Sequence, residues 1–273
     1  MQSWKQWALL GLILFVALAF RWTGIDWDGY HHYHPDERYI TWVATTIEWP
    51  SDLAKALSPT QSSLNPFYWY PEAASAGIEV LRDEPRDFAY GHVPLYLGVA
   101  ATRLVERLET GVQAILPASW LVTADIFNGR SAIEFHHLTA VSRALTGLVD
   151  TGTVLLIFLL GRRLFGIAAG LLAAAFLALN VMHIQLAHFF AVDPYQAFFG
   201  LAALTFMVRA IYAANAVREG EPVAQSQRCS PTCNLLIAAL FTGLAIGAKF
   251  SATLLLLPLG AAAWFALPRP RFW

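Results

Sequence analysis

Ala8-Leu9-Leu10-Gly11-Leu12-Ile13-Leu14-Phe15-Val16-Ala17-Leu18-Ala19-Phe20 is an unbroken apolar run near the start of the chain. With its flanks it approaches the ~20 residues a helix needs to cross a bilayer. Lys5 before it and Ala17-Leu18-Ala19 near its end imitate a cleavable leader. Ala-x-Ala is frequent by chance in apolar helices, and further apolar segments follow. Residues 6–22 are therefore expected to form an uncleaved first span. Directly beyond comes Gly29-Tyr30-His31-His32-Tyr33-His34-Pro35-Asp36-Glu37-Arg38-Tyr39. Adjacent carboxylates, several His and several aromatics thus sit where a membrane helix meets water.

The composition agrees. Of 273 residues, 57% are hydrophobic and only 14% charged, against about 25% charged in soluble domains. That deficit points to a polytopic membrane protein. A net charge of -1 gives no general pull toward nucleic acid. The 18 Phe and 10 Trp suit lipid-facing surfaces and interfacial belts. Cys229 and Cys233 form a C-x-x-x-C pair without a nearby His. They read as two ordinary thiols and imply no disulfide framework.

Working outward, further apolar segments occupy about 139–160, 166–182, 194–214, 234–248 and 252–267. The expected fold is all-α and polytopic, with about six spans by the length criterion. It forms a single transmembrane domain over 1–273. Gly166 with Gly170, and Gly243 with Gly247, have the small-xxx-small spacing that lets helices approach closely.

Residues 23–92 form a long polar stretch after the first span. Within it Tyr39, Trp42, Val43 and Ile47 recur at helical spacing, which predicts a short interfacial helix with Pro35 at its first position. Asp36 and Glu37 then fall in its first turn, where acids suit the positive helix end. Asn65-Pro66-Phe67-Tyr68-Trp69-Tyr70 reads as part of an ordered loop, and Asp83-Glu84-Pro85-Arg86-Asp87 as a solvated turn. The piece from Tyr90 meets Arg103, Glu106 and Arg107 early for a full crossing. If it does not cross, the positive-inside rule puts Lys5, Arg162, Arg163, Arg218, Arg228, Arg269 and Arg271 on the cytoplasmic side. The 23–92 loop, His183–Asp193 and Lys249 then share the external side.

Asp36 and Glu37 are the first candidates for chemistry, because a general base must present a carboxylate to its acceptor. An ordinary helix start would also place them there. His31, His32, His34 and His92 match no closed structural metal site. His with carboxylate also suits a divalent ion, so a metal stays open without being required. Arg143, Asp150, Asp193 and Lys249 lie at or within apolar segments, where charge is costly and marks function by default. Arg143 could pair with Asp150 seven residues on, and Lys249 could snorkel to the interface.

An ordered set of motifs now stands out. After the first span come His34-Pro35-Asp36-Glu37-Arg38-Tyr39, Tyr90-Gly91-His92-Val93-Pro94-Leu95-Tyr96, and Arg143-Ala144-Leu145 with Gly161-Arg162-Arg163-Leu164-Phe165-Gly166. His183-Ile184-Gln185, His188-Phe189-Phe190-Ala191-Val192-Asp193 and Ala248-Lys249-Phe250-Ser251 follow. The set resembles the GT-C membrane glycosyltransferases, and within them the protein O-mannosyltransferase and aminoarabinose transferase branch. It resembles the N-terminal half of those longer proteins.

The resemblance implies inverting transfer of a sugar from a polyprenyl-phosphate donor to an acceptor hydroxyl at the external face. Asp36 would be the base and Glu37 its neighbouring support. Lys249 resembles a contact to the lipid phosphate, with Arg143 and His92 as further donor-binding positions. His34, Arg38 and Asp193 are possible supporting residues, and 23–92 is the external catalytic loop. The expected partners are the polyprenyl-phosphate-linked sugar, the bilayer, and an acceptor that is protein, lipid or glycan. The expected location is the bacterial plasma membrane. A polytopic transporter using Asp150, Asp193 and Lys249 is the alternative, as is a non-catalytic polyprenyl-lipid binder. No clear internal repeat supports the transporter.

Overall fold

The computed structural model describes residues 3–29, 31–47, 52–56, 62, 64, 89–115, 126–127, 130–219 and 229–267. The expected loop at 65–70 and turn at 83–87 lie outside these. Among the described residues all regular structure is helical. In chain order the elements are α1 (Ser3–Trp22), α2 (Pro35–Ala44), α3 (Leu53–Ala56), α4 (Val93–Ile115), α5 (Phe135–Phe165), α6 (Ile167–Ala178) and α7 (Val181–Ala187). Then follow α8 (Asp193–Arg218), α9 (Pro231–Ala248), a 3₁₀ helix (Phe250–Leu255) and α10 (Leu256–Ala266).

Each of the six apolar segments is helical, but not all as one straight rod. Four helices are long and apolar enough to cross a membrane: Trp4–Trp22, Phe135–Phe165, Asp193–Arg218 and Pro231–Ala248. The segment expected at 166–182 is α6 followed by α7, bent by 57° at the break, and makes a fifth span if taken as one. The break falls at Asn180, whose side-chain oxygen accepts the His183 N–H at 3.1 Å and so caps α7. The last segment, Phe250–Ala266, is a shorter apolar helix that opens as 3₁₀. α4 has 23 residues but falls outside the apolar set, because Arg103, Glu106, Arg107 and Glu109 crowd its middle.

The helix predicted from Pro35 forms. The Nδ1 atom of His34 accepts the Glu37 N–H at 3.3 Å and caps it. Its buried face is Glu37, Ile40, Thr41, Val43 and Ala44. That stripe has helical period, and it begins on Glu37. Asp36, one residue earlier, is therefore turned to the exposed side.

The chain divides into two compact units, one of 1–23, 147–187 and 192–273, the other of 24–146 and 188–191. The first unit has two apolar cores. Leu10 and Ala17 of α1 meet Val154 and Phe158 of α5, and Leu171, Ala174 and Ala178 of α6. Ala203, Met207, Ala210 and Ala214 of α8 meet Leu235 and Ala238 of α9, and Ala262 and Ala266 of α10. The small residues let backbones approach closely. At Gly170 a Cβ would lie 2.7 Å from the Phe158 carbonyl oxygen, and the hairpin into α6 passes through Gly166 at φ 89°. At Gly243 a Cβ would meet nothing within 4 Å, so the second expected pair has no such contact there. In the second unit Ile40, Val43, Leu95, Val99, Leu138 and Phe190 are buried.

Candidate active site

In the second unit one guanidinium organises the polar interior. Arg143 donates from Nε to Glu37 Oε1 at 2.7 Å and from Nη2 to Glu37 Oε2 at 2.6 Å. It also donates from Nη1 to Asp28 Oδ1 and from Nη2 to Asp28 Oδ2, both at 2.8 Å. A further bond from Nη1 reaches the Ile25 carbonyl at 2.9 Å. All three side chains are wholly buried. Glu37 Oε1 also accepts the Phe190 N–H at 2.7 Å, and Asp28 Oδ2 accepts the His32 N–H at 3.1 Å. One cation thus pins the start of α2, the turn before it and the 188–191 segment to α5. The fork geometry of arginine is what permits two bidentate partners at once.

Asp36 is exposed, and its side chain makes no hydrogen bond or ion pair among the described residues. The adjacent acids of α2 therefore have opposite environments. Arg38 is likewise exposed. The His34 ring packs on Phe189 with centroids 4.4 Å apart, so this residue caps α2 and fixes the 188–191 segment together. His92 is half-buried just before α4, its ring edge-on to Tyr96. Burial pushes its pKa below the usual 6.5.

His32 lies beneath the same turn, 4% exposed, with its backbone at φ 55°. Its Nε2 is 3.4 Å from His136 Nδ1, and its Nδ1 is buried without a partner. Burial lowers its pKa from 6.5, while the Glu37 and Asp28 carboxylates raise it and Arg143 and His136 lower it. Among the described residues no three His, Cys, Asp or Glu side chains are arranged to hold a metal ion.

In the first unit Lys249 Nζ pairs with Asp193 Oδ1 at 2.6 Å, both side chains partly open to solvent. Asp193 lines a cavity of about 630 Å³ with His183, Gln196 and Ser251 as its polar side and Leu201, Leu204, Leu254 and Leu255 among its apolar side. Gln196 Nε2 donates to Ser251 Oγ at 3.0 Å across it. His183 Nδ1 is 2.8 Å from Asp150 Oδ1. Asp150 Oδ2 accepts from Arg21 Nε at 2.6 Å, and Arg21 is wholly buried. Arg21 also donates to the carbonyls of Ala17, Leu177 and Ala178. It thereby gives donors to the Leu177 and Ala178 carbonyls at the end of α6.

Asp150 therefore pairs with Arg21, and Arg143 with Asp28 and Glu37. Sequence reasoning did not single out Asp28 or Arg21. Asp28 stands in a Gly24–Gly29 turn with no periodic pattern. Arg21 ends the first span, where a basic residue ordinarily snorkels. The signal that points to them is electroneutrality, since Arg143, Glu37 and Asp150 in apolar settings each require a partner.

The described residues thus form a multi-pass helical membrane protein with ion pairs at its span ends and a largely apolar cavity beside one of them. The sequence model of the dolichyl-phosphate-mannose-protein mannosyltransferase family matches residues 127–272, more than half of the chain. The chain belongs to that family, whose members are membrane glycosyltransferases using polyprenyl-phosphate sugars. The matched span includes Arg143, Asp150, His183, Asp193 and Lys249, and begins after Asp36. No curated protein and no solved structure matches the chain.

Proposed function

We propose that the chain moves a sugar from a polyprenyl-phosphate donor to an acceptor hydroxyl at the external face of a bacterial plasma membrane, with inversion. Asp36 is the general base. The acceptor oxygen gives its proton to the Asp36 carboxylate and bonds to the anomeric carbon. The bond from that carbon to the phosphate oxygen breaks, and polyprenyl phosphate leaves with the electron pair.

The division between Asp36 and Glu37 carries this reading. Glu37 is engaged by Arg143 and the Phe190 amide, which fixes α2 and leaves the Asp36 carboxylate open to water. Glu37 and Arg143 are positioning residues here, with His34 as the cap that sets the first turn. Lys249, held by Asp193, is assigned to the departing phosphate. A charge-assisted contact of that kind contributes about 1.5–3 kcal/mol. His92, kept neutral by burial at ordinary pH, can donate one hydrogen bond to a phosphate oxygen. Arg38, on the exposed side of α2, is a further cation available to either substrate.

The test uses membranes containing the full chain, a panel of labelled polyprenyl-phosphate sugars, and Asp36→Asn in parallel. Sugar released from the lipid by the parent chain and not by the variant is expected. Full release by the variant sinks the base assignment. Binding of polyprenyl phosphate with no turnover of any donor would make the chain a lipid binder.

A further inference from the structure

A second cavity of the first unit is unrelated to the pair Lys249–Asp193. It measures about 390 Å³ and is lined by Arg162 and Arg163 of α5, Thr205 and Arg209 of α8, and Asn234 of α9. Asp193 and Arg209 are sixteen residues apart on one helix, about 24 Å at the α-helical rise. That approaches the ~30 Å thickness of the hydrocarbon layer. The arginine cavity thus sits near the opposite lipid boundary from the Lys249 end of α8.

Its chemistry is one-sided. Three guanidinium groups surround it, and none has a carboxylate within ion-pair distance among the described residues. Their neighbours are aromatic faces instead. Arg163 lies 4.7 Å from the Tyr212 ring centroid, Arg209 5.1 Å from Phe206, and Arg162 5.3 Å from Trp7. Ring faces hold the guanidinium planes without neutralising their charge. Arg163 Nε is buried with no partner.

Asn234 supplies an independent sign. It is 2% exposed, and its Nδ2 donates to the carbonyls of Cys229 and Ser230 at 3.1 and 3.0 Å. Its Oδ1 is buried with no donor. A buried acceptor left empty costs about 1–3 kcal/mol. The three arginines thus bring charge to the cavity wall with no carboxylate partner among the described residues, and Asn234 of the same wall carries an acceptor with no donor.

We propose that this cavity binds an anionic phosphate that also carries a hydroxyl donor, the chemistry of a phosphatidylglycerol headgroup. The phosphate lies among Arg162, Arg163 and Arg209, and a glycerol hydroxyl donates to Asn234 Oδ1. Basic pockets between helices at the headgroup level are suited to such lipids. The site is independent of transfer chemistry, so its test needs no turnover.

The full chain is reconstituted in nanodiscs of phosphatidylcholine with graded phosphatidylglycerol, and retained lipid is identified by mass spectrometry after extraction into detergent. Selective retention of phosphatidylglycerol over phosphatidylcholine is expected. The double variant Arg163→Gln, Arg209→Gln should weaken it by roughly 20- to 30-fold, about fivefold for each arginine near a charged headgroup. Arg209→Lys, which keeps the charge and the fold, should weaken it less. Equal retention of both lipids by the parent chain overturns the proposal. Competition by millimolar inorganic phosphate separates the sources: no effect supports the lipid headgroup, while full displacement overturns it in favour of a soluble phosphate.

Discussion

Arg143 and Glu37, 106 residues apart in sequence, are joined by two hydrogen bonds of 2.7 and 2.6 Å with neither side chain exposed. Asp28 completes the group from the other edge of the guanidinium. Removing the cation would leave two buried carboxylates facing each other. Breaking a buried pair from one side costs about 3–5 kcal/mol. Arg143→Met should therefore lower the unfolding temperature in detergent far more than any change at Asp36. An Arg143→Met protein as stable as the parent would show that the three groups are not held as a network.

The neighbouring acids of α2 should separate cleanly by mutation. Asp36→Asn should change stability by no more than about 0.5 kcal/mol, as usual for exposed positions, and reduce kcat by about 10²- to 10⁴-fold, the range for loss of a general base. Glu37→Gln keeps the shape but loses a charge-assisted partner, costing about 1.5–3 kcal/mol of stability. Thermal unfolding beside sugar release distinguishes the two. Equal effects of both variants on both readouts would remove the division of roles.

Much of this was legible in the chain because its signals are local. The apolar runs dictated the helices, and the spacing from Pro35 predicted α2 and the position of both acids in its first turn. What was not legible depends on long-range pairing. Helical spacing on α5 suggests Asp150 as the partner of Arg143, yet Arg21 and His183 take Asp150. The face of α2 turned inward was hidden too, since Asp36 and Glu37 are chemically alike and only the stripe Glu37–Ile40–Thr41–Ala44 tells them apart. The bend between α6 and α7 rests on a single cap at Asn180, a weak signal inside an apolar run.

His32 makes stability depend on pH. Its pKa is lowered in the folded protein, chiefly by burial, from 6.5. The unfolded chain then binds more protons than the folded one just below 6.5, so stability is full above that pH and falls as pH drops beneath it. His32→Asn tolerates the positive φ, since Asn is enriched in that region, and does not titrate. The unfolding temperature of the parent should decline between pH 6.5 and pH 5 more steeply than that of His32→Asn. Superimposable profiles would assign the acid sensitivity elsewhere, with His92, whose pKa is also lowered by burial, the next group to replace.

Lys249 and Asp193 form an ion pair beside the 630 Å³ cavity. Their side chains are 34% and 45% exposed, so water screens the pair and its stability contribution stays within about 1 kcal/mol. A role in binding the donor phosphate predicts something different. Lys249→Met should leave the unfolding temperature nearly unchanged and reduce kcat/KM for the polyprenyl-phosphate donor by about 10- to 100-fold, the loss of one charge-assisted contact. Asp193→Asn keeps the ammonium and should reduce it less. If Lys249→Met unfolds the protein while the remaining folded fraction turns over normally, the lysine is a structural partner of Asp193 and the phosphate contact must come from another cation.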